Sequence, residues 1–300
     1  MDSFQSDKIS WETPSFSDLQ ENAIKEVKEV VTDLIKNEED PRIKEILGKI
    51  DSSKDSYDRI ELCSQINILD PKNFLVDTAK AIEYSNLNEN EKAEESFKTA
   101  IKKSDRNHYF PSYHYGLFLC NQKTRRVDGV QELFHADKLF TRVVSKLKSL
   151  SDEELTEEKS NQIIRNIKHM NKLNYTLGCY LFSIGMVKIA LEYLERTFDI
   201  EPDSDFDKRP LNDARTVIKM CTEGLQECNF ELTKDENNVG ALFSKSQFLV
   251  KLGEYTEAKE CVLKILLIDK NNPNTAIHGS IKEVNQMLMQ IESMENSSSY

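Results

Sequence analysis

The stretch "GMVKIALEYLERTFDIEPDS" (185–204) is answered by "GEYTEAKECVLKILLIDKNN" (253–272), 68 residues further on. Glycine, alanine and bulky aliphatics recur at matched spacings, although few residues are identical. In the first stretch Ala190, Leu191, Leu194 and Phe198 share one helical face, and the segment before it places Leu177, Leu181 and Ile184 on another. Gly185, between the two, reads as a helix-stop glycine. A small Gly178 and a small Ala190 allow two antiparallel backbones to approach closely, so each copy is a helix pair.

Setting Gly185 and Gly253 at position fifteen defines units of about 34 residues: 171–204 and 239–272, with one whole unit, 205–238, between them. The same phase continues upstream. Residues 74–107 place Ala81, Tyr84, Ala93, Phe97 and Ala100 at positions eight, eleven, twenty, twenty-four and twenty-seven. Residues 40–73 place Leu47, Ile50, Cys63, Ile66 and Pro71 at eight, eleven, twenty-four, twenty-seven and thirty-two. A third unit begins at His108, with "ADKLFTRVVSKL" read as a second helix delayed by an insertion around "TRRVDGVQELFH". Residues 205–238 place Asn212, Arg215 and Lys219 at the small, bulky and glycine positions of a repeat, and Leu211, Ala214, Ile218, Cys221, Leu225, Cys228 and Leu232 alternate by three and four. One long helix from near Pro210 and a helical hairpin both satisfy that pattern.

Leu177, Gly178, Gly185, Ala190, Leu194 and Pro202, with Leu249, Gly253, Tyr255, Ala258 and Val262, resemble the tetratricopeptide repeat (TPR) family. The resemblance implies an all-α, TPR-type α-solenoid, a right-handed superhelix of antiparallel helix pairs. The expected organisation is a disordered tail (1–16), an N-terminal capping helix (17–39) opened by Ser17 and Gln20, repeats over 40–150 with the third lengthened, and repeats with extended helices over 151–272. A C-terminal capping helix (273–294) and a disordered tail (295–300) follow. Ser151 and Glu154 form a capping box for an extended first helix. Terminal helices are needed because the last repeat otherwise exposes an apolar face.

Composition agrees with a helical chain: 9 Gly, 7 Pro and 31% charged residues. The net charge of −12 disfavours a phosphate backbone as partner. The six cysteines (Cys63, Cys120, Cys179, Cys221, Cys228, Cys261) include no C-x-x-C pair and lie within helical apolar patterns, as buried small hydrophobes. They fit a reducing compartment, and the start of the chain has no signal-peptide pattern. The expected location is cytoplasmic or nuclear, with no membrane span. The five histidines are scattered, and no nucleotide-cradling or nucleophile motif occurs, so no catalytic, cofactor or metal site is expected.

What remains is binding of other proteins. The TPR resemblance implies a concave groove lined by first helices that receives a peptide or a helix. Chosen by repeat position, its lining is Tyr109, Tyr113, Tyr175, Phe182 and Phe243, with Lys251 as a charged contact. "KTRR" (123–126) offers either a patch for an acidic partner or a solvated loop. The segment 237–273 also resembles the last repeat of large immunophilins of the FK506-binding and cyclophilin-40 type. Residues 1–150 carry helical period where an isomerase domain needs strands, so isomerase activity is not implied. That family grips the acidic tail of Hsp90 with a clamp of Lys, Asn and Arg. The corresponding positions here hold Lys44, Gly48, Ala79, Tyr109 and Tyr113, or Tyr175, Cys179, Pro210, Gly240 and Ser244. The reading is a non-catalytic scaffold or assembly adaptor, the alternative a co-chaperone associated with Hsp90 or Hsp70 through a non-standard clamp.

Overall fold

A computed structural model describes residues 31, 32, 35, 38–149, 156–200, 205–271, 284–289, 291 and 292. Among them every regular element is a helix, and the fold is all-α, of the α-solenoid class. The chain divides into two compact units, Met1–Leu173 and Asn174–Tyr300.

The first unit holds α1 (Pro41–Ser52), α2 (Ser56–Leu69), α3 (Phe74–Asn86), α4 (Asn90–Lys103), α5 (Tyr109–Asn121) and α6 (Arg126–Lys148). The part of α7 (Glu157–Ser183) up to Leu173 belongs to it as well. Short polar side chains start these helices. Asp40, Asp55 and Asn73 each accept a hydrogen bond from a backbone N–H of the first turn, and Pro41 follows Asp40 where a missing N–H costs nothing. The helices bury one contiguous cluster that includes Leu47, Cys63, Ile66, Ala81, Ala93, Phe97, Phe118 and Leu119.

A left-handed residue closes the regular turns. In α3–α4 the turn has three residues, Leu87 to Glu89, and Asn88 sits at φ 60°. The Glu89 N–H bonds Tyr84 O at 2.9 Å and the Asn88 N–H bonds Ser85 O at 3.0 Å, which satisfies carbonyls left over at the helix end. In the second unit Gly185 (φ 91°) and Gly253 (φ 76°) repeat that turn with the same pattern of bonds, as their spacing predicts. The first and third repeats differ: in the α1–α2 turn Ser53 is extended (φ −71°, ψ 140°). In the third, Gln122 follows α5 in an extended conformation (φ −88°, ψ 109°). The chain spends four residues, Gln122 to Arg125, before α6 starts.

This corrects the expected long insertion: "TRRVDGVQELFH" is mostly the beginning of α6, which then runs on to Lys148. Gly129, Leu133 and Ala136 are buried in α6 where Ala93, Phe97 and Ala100 are buried in α4. The α4–α5 connection is also one residue longer than α2–α3, with Asp105 and Arg106 both left-handed. Measured from the helix start, the third repeat begins at Tyr109 and not at His108. Gly116, not Tyr115, is thus the counterpart of Ala81. A Cβ on Gly116 would lie 2.8 Å from Leu133 Cγ, and one on Gly129 would lie 2.6 Å from the Cys120 backbone nitrogen. Two glycines, invisible to a strict 34-residue register, bring α5 and α6 together.

At position twenty of the first repeat stands Arg59, where three other repeats place Ala93, Ala190 and Ala258. Its guanidinium makes two hydrogen bonds to Glu83, Nε to Oε1 at 2.7 Å and Nη2 to Oε2 at 2.8 Å, with side chains 11% and 3% exposed. The planar fork satisfies a carboxylate that burial would otherwise make costly.

The second unit contains the rest of α7, then α8 (Val187–Ile200), α9 (Arg209–Lys234), α10 (Val239–Lys251) and α11 (Tyr255–Asn271). Gly178 packs under Leu194, and a Cβ there would lie 2.7 Å from Leu194 Cγ and 3.2 Å from Ala190 O, the close crossing expected from the sequence. Residues 209–234 form one long helix with Pro210 in its first turn, which settles the alternative left open above. Leu211 and Ala214 of its first half join a cluster with Cys179, Val187, Leu194 and Phe198. Gly224, midway, faces the Phe248 ring of α10. Arg215 pairs with Glu195 at 2.9 Å, and Lys188 at the start of α8 reaches Glu254 in the α10–α11 turn at 3.2 Å.

Residues 284–289, 291 and 292 are helical, with Val284 and Ile291 buried and the Ser246 hydroxyl 3.0 Å from Met287 Sδ. Of the N-terminal helix, Val31, Thr32 and Ile35 are described, Val31 within the core cluster of the first unit. The capping signals at Ser17, Gln20, Ser151 and Glu154, Pro202 and both expected tails lie outside the described residues. All six cysteines are buried, and burial pushes the thiols of Cys63 and Cys179 up to about 12, which leaves them protonated and unreactive at neutral pH.

Candidate interaction surface

A first helix of such a pair presents one stripe outward, and the state of that stripe differs sharply among the five: on α1, Lys44, Glu45 and Gly48 at positions five, six and nine are exposed. On α3, Thr78, Ala79 and Ile82 at positions five, six and nine are buried. On α5, Tyr113, His114 and Leu117 hold those positions and are buried too. Indeed every residue from Phe110 to Cys120 is buried. A helix apolar all round is a core helix, and α5 packs on α3, α4 and α6 with His169 and Leu173 of α7 beside it. On α7, Thr176 and Cys179 are buried.

The α10 stripe is open as well. Gly240, Gln247 and Lys251 are exposed, Phe243 and Ser244 are half-buried, and Gly240, Ser244, Gln247 and Lys251 follow one another at i, i+4, i+7 and i+11. Asn238 caps this helix through the Ala241 N–H at 3.0 Å. Its opposite side is anchored by Leu242, Ser246, Leu249 and Val250, all buried. The neighbouring Lys245 is turned aside, its ammonium 2.8 Å from Glu257 of α11. Lys251 has no ion pair among the described residues and is available to solvent.

Each residue singled out in the sequence has a definite place. Tyr109 is half-buried, stacked on His108 at 5.1 Å and edge-on to Phe140 at 4.1 Å. Tyr109 and Tyr113 line a small cavity with Phe110, Phe140, His169 and Leu173, with room for about one water molecule. They occupy positions one and five, not two and six, because of the one-residue shift, and Tyr113 is withdrawn from solvent. Tyr175 is covered by Phe206, the rings stacked at 4.6 Å, and burial raises its phenol. Phe182 is half-buried against the same apolar cluster. Lys251 lies on the open stripe, and Phe243, half-buried, stands to one side of it. Gly240, Ser244 and Gln247 complete it. The helical period alone links them to Lys251, but selecting aromatics passed over small and polar residues.

The "KTRR" turn is largely engaged. Arg125 donates to Glu94 at 2.6 Å, and the Tyr115 hydroxyl and Lys98 also reach that carboxylate, at 3.1 and 2.7 Å. Arg125 above all holds the Glu94 carboxyl down to about 2. This fixes the irregular turn and leaves Lys123 as its exposed cation. No group of side chains among the described residues could hold a metal ion, and no described helix is long and apolar enough to cross a membrane.

Residues 239–272 match the tetratricopeptide repeat family model. The match is the open pair itself, α10 with α11. No curated protein matches the sequence. Solved structures with similar helix succession include YrrB, described as a TPR protein with an unusual peptide-binding site, at 15% identity over 75% of this chain and 99% of that one, TM-score 0.37. Pseudomonas aeruginosa pilF follows at 14% identity, 88% and 98% coverage and TM-score 0.41. The TPR2AB domain of yeast Sti1, in complex with pHSP90, has 14% identity, 91% and 99% coverage and TM-score 0.23. At such TM-scores the helix paths diverge, and no binding property transfers from these proteins.

Proposed function

We propose that this protein is a non-catalytic scaffold or assembly adaptor that holds another protein against the α10 stripe. The observation that carries the reading is the contrast in exposure: α3 and α5 bury their stripe positions, whereas α10 keeps Gly240, Gln247 and Lys251 in solvent. A buried helix contributes stability, and an exposed stripe on a rigid helix pair contributes recognition. The net charge of −12 favours protein over nucleic acid as partner. Six unpaired cysteines support a reducing compartment.

A chaperone-tail clamp gains nothing from the corrected register. With the third repeat starting at Tyr109, its positions two and six hold Phe110 and His114, both buried, so the set still offers Lys44 as its one cation. The experiment is site-specific photo-crosslinking in cells. A photoreactive residue at Gln247 is expected to capture a discrete protein, and the same residue at exposed Thr99 of α4 is expected to capture none. Equal labelling from both positions, or none from Gln247, rejects the assignment.

A further inference from the structure

Two helices carry complementary rows of charge. On α6, Lys138, Arg142 and Lys146 follow one another every four residues; all three are exposed, and none has an ion pair among the described residues. From Lys138 to Lys148 the chain contains no Asp or Glu, in a protein of net charge −12. Tyr109 opens α5 and meets Phe140 at 4.1 Å, so Thr141 to Lys148 run on past the start of α5. On α9, Glu223, Glu227 and Glu231 repeat the spacing with the opposite sign, and all three are exposed. Glu223 has Lys219 at 4.0 Å and Glu231 has Lys234 at 2.7 Å, both within the same helix, whereas Glu227 has no ion pair among the described residues. No other described helix carries three cations or three carboxylates in such a row.

Like charges four residues apart weaken a helix, and each row makes that unfavourable contact twice. A row of opposite sign laid against it relieves the repulsion on both sides. Rows of every fourth residue run at about −26° to the helix axis, so two of them lie alongside each other when the helices cross at about −50°, a common packing angle. Successive charges rise about 6 Å in both rows, which keeps the pairs in step. We propose that α6 of one molecule docks on α9 of a second copy through these rows. Arg142 meets Glu227 at the centre in either direction of the helices, with Lys138 and Lys146 against Glu223 and Glu231. Val143 beside Arg142 and Phe230 beside Glu231, both exposed, give the contact an apolar share. A polyanion of another kind would meet the α6 row alone; a second copy satisfies both rows at once. Because the two surfaces differ, the contact is heterologous, and a dimer keeps one free row at each end for a further copy. The contact does not involve α10, so it stands or falls separately from the surface proposed above.

The test is sedimentation equilibrium of the full chain at about 0.1 M salt, where charges more than about 10 Å apart are screened and the net repulsion between copies is weak. Exposed ion pairs are individually modest, so the mass is expected to rise with concentration with a Kd of about 100 μM. One variant reverses the α6 row (Lys138→Glu, Arg142→Glu, Lys146→Glu) and another the α9 row (Glu223→Lys, Glu227→Lys, Glu231→Lys). Each is expected to weaken self-association at least about tenfold. The α9 reversal is the stricter arm, because it lowers the net negative charge and would favour association if net charge alone mattered. An equimolar mixture of the two reversed proteins is expected to recover the wild-type affinity, as is the chain carrying both reversals at the wild-type net charge. Circular dichroism checks that the variants fold, and the central pair alone, Arg142→Glu and Glu227→Lys, repeats the design with one substitution per row and a loss of about threefold each. The proposal is overturned if the full chain stays monomeric to about 500 μM, if either reversed protein self-associates like the wild type, or if the mixture fails to recover the association.

Discussion

Gly129→Ala tests the contact that organises the third repeat. A methyl group there would lie 2.5 Å from Cys120 Sγ, 2.6 Å from the Cys120 backbone nitrogen and 2.8 Å from Gly116 O. Carbon needs about 3.5–4.0 Å for a comfortable contact, so the deficit against the backbone atoms is about 1 Å. A side chain could rotate away, but two of the three atoms are main chain, and α5 itself would have to move. Since α5 is buried from Phe110 to Cys120, that movement disturbs packing on all sides. Overpacking costs about 1–3 kcal/mol, and the rigid partner places this case toward the upper end. Alanine returns up to about 1 kcal/mol in helix propensity. The net loss is about 2 kcal/mol, or roughly 4–8 °C in Tm for a unit of this size. Thermal unfolding followed by circular dichroism measures it, with Gly48→Ala as the control. Nothing lies within 4 Å of a Cβ at exposed Gly48, so that variant is expected to be stabilised by about 0.5–1 kcal/mol. If Gly129→Ala melts at or above the Gly48→Ala variant, the close crossing of α5 and α6 is wrong.

Glu83→Ala strands the Arg59 guanidinium among buried groups and is expected to destabilise by about 3–5 kcal/mol, whereas the double variant Arg59→Met, Glu83→Leu recovers most of it; chemical denaturation of the set gives the coupling. His108 starts α5 by accepting the Phe110 N–H on Nδ1 at 3.3 Å, which requires a neutral ring, and burial lowers its pKa from the usual 6.5. Its folded form therefore binds fewer protons than the unfolded chain. Its contribution is complete above about pH 6.5 and is lost as pH falls through the unfolded and then the folded value. His108→Asn keeps the cap and is expected to flatten this acid-side loss in a pH series of melting temperatures; an unchanged slope rejects the role.

The helical periods, the small residues at crossings and the stop glycines are local chemistry, and they were legible as written. Gly185 and Gly253 take positive φ, Gly178 sits under Leu194, and the six cysteines are buried, because each follows from what one residue can do in its own turn or on its own face. The tertiary structure decided the register of the third repeat. The α4–α5 connection takes one residue more than α2–α3, which reassigns Tyr109, Tyr113 and Gly116 together, and the turn from Gln122 to Arg125 takes one more again, which places Gly129 where α4 has Ala93. It also decided that 209–234 is one helix, since its apolar alternation is the same in a hairpin and in a rod, and the difference lies in Gly224 meeting Phe248. Which stripe remains open was likewise beyond the sequence. Aromatic residues on α5 and polar ones on α10 stand at equivalent repeat positions, and exposure is settled by how many neighbours pack around each helix.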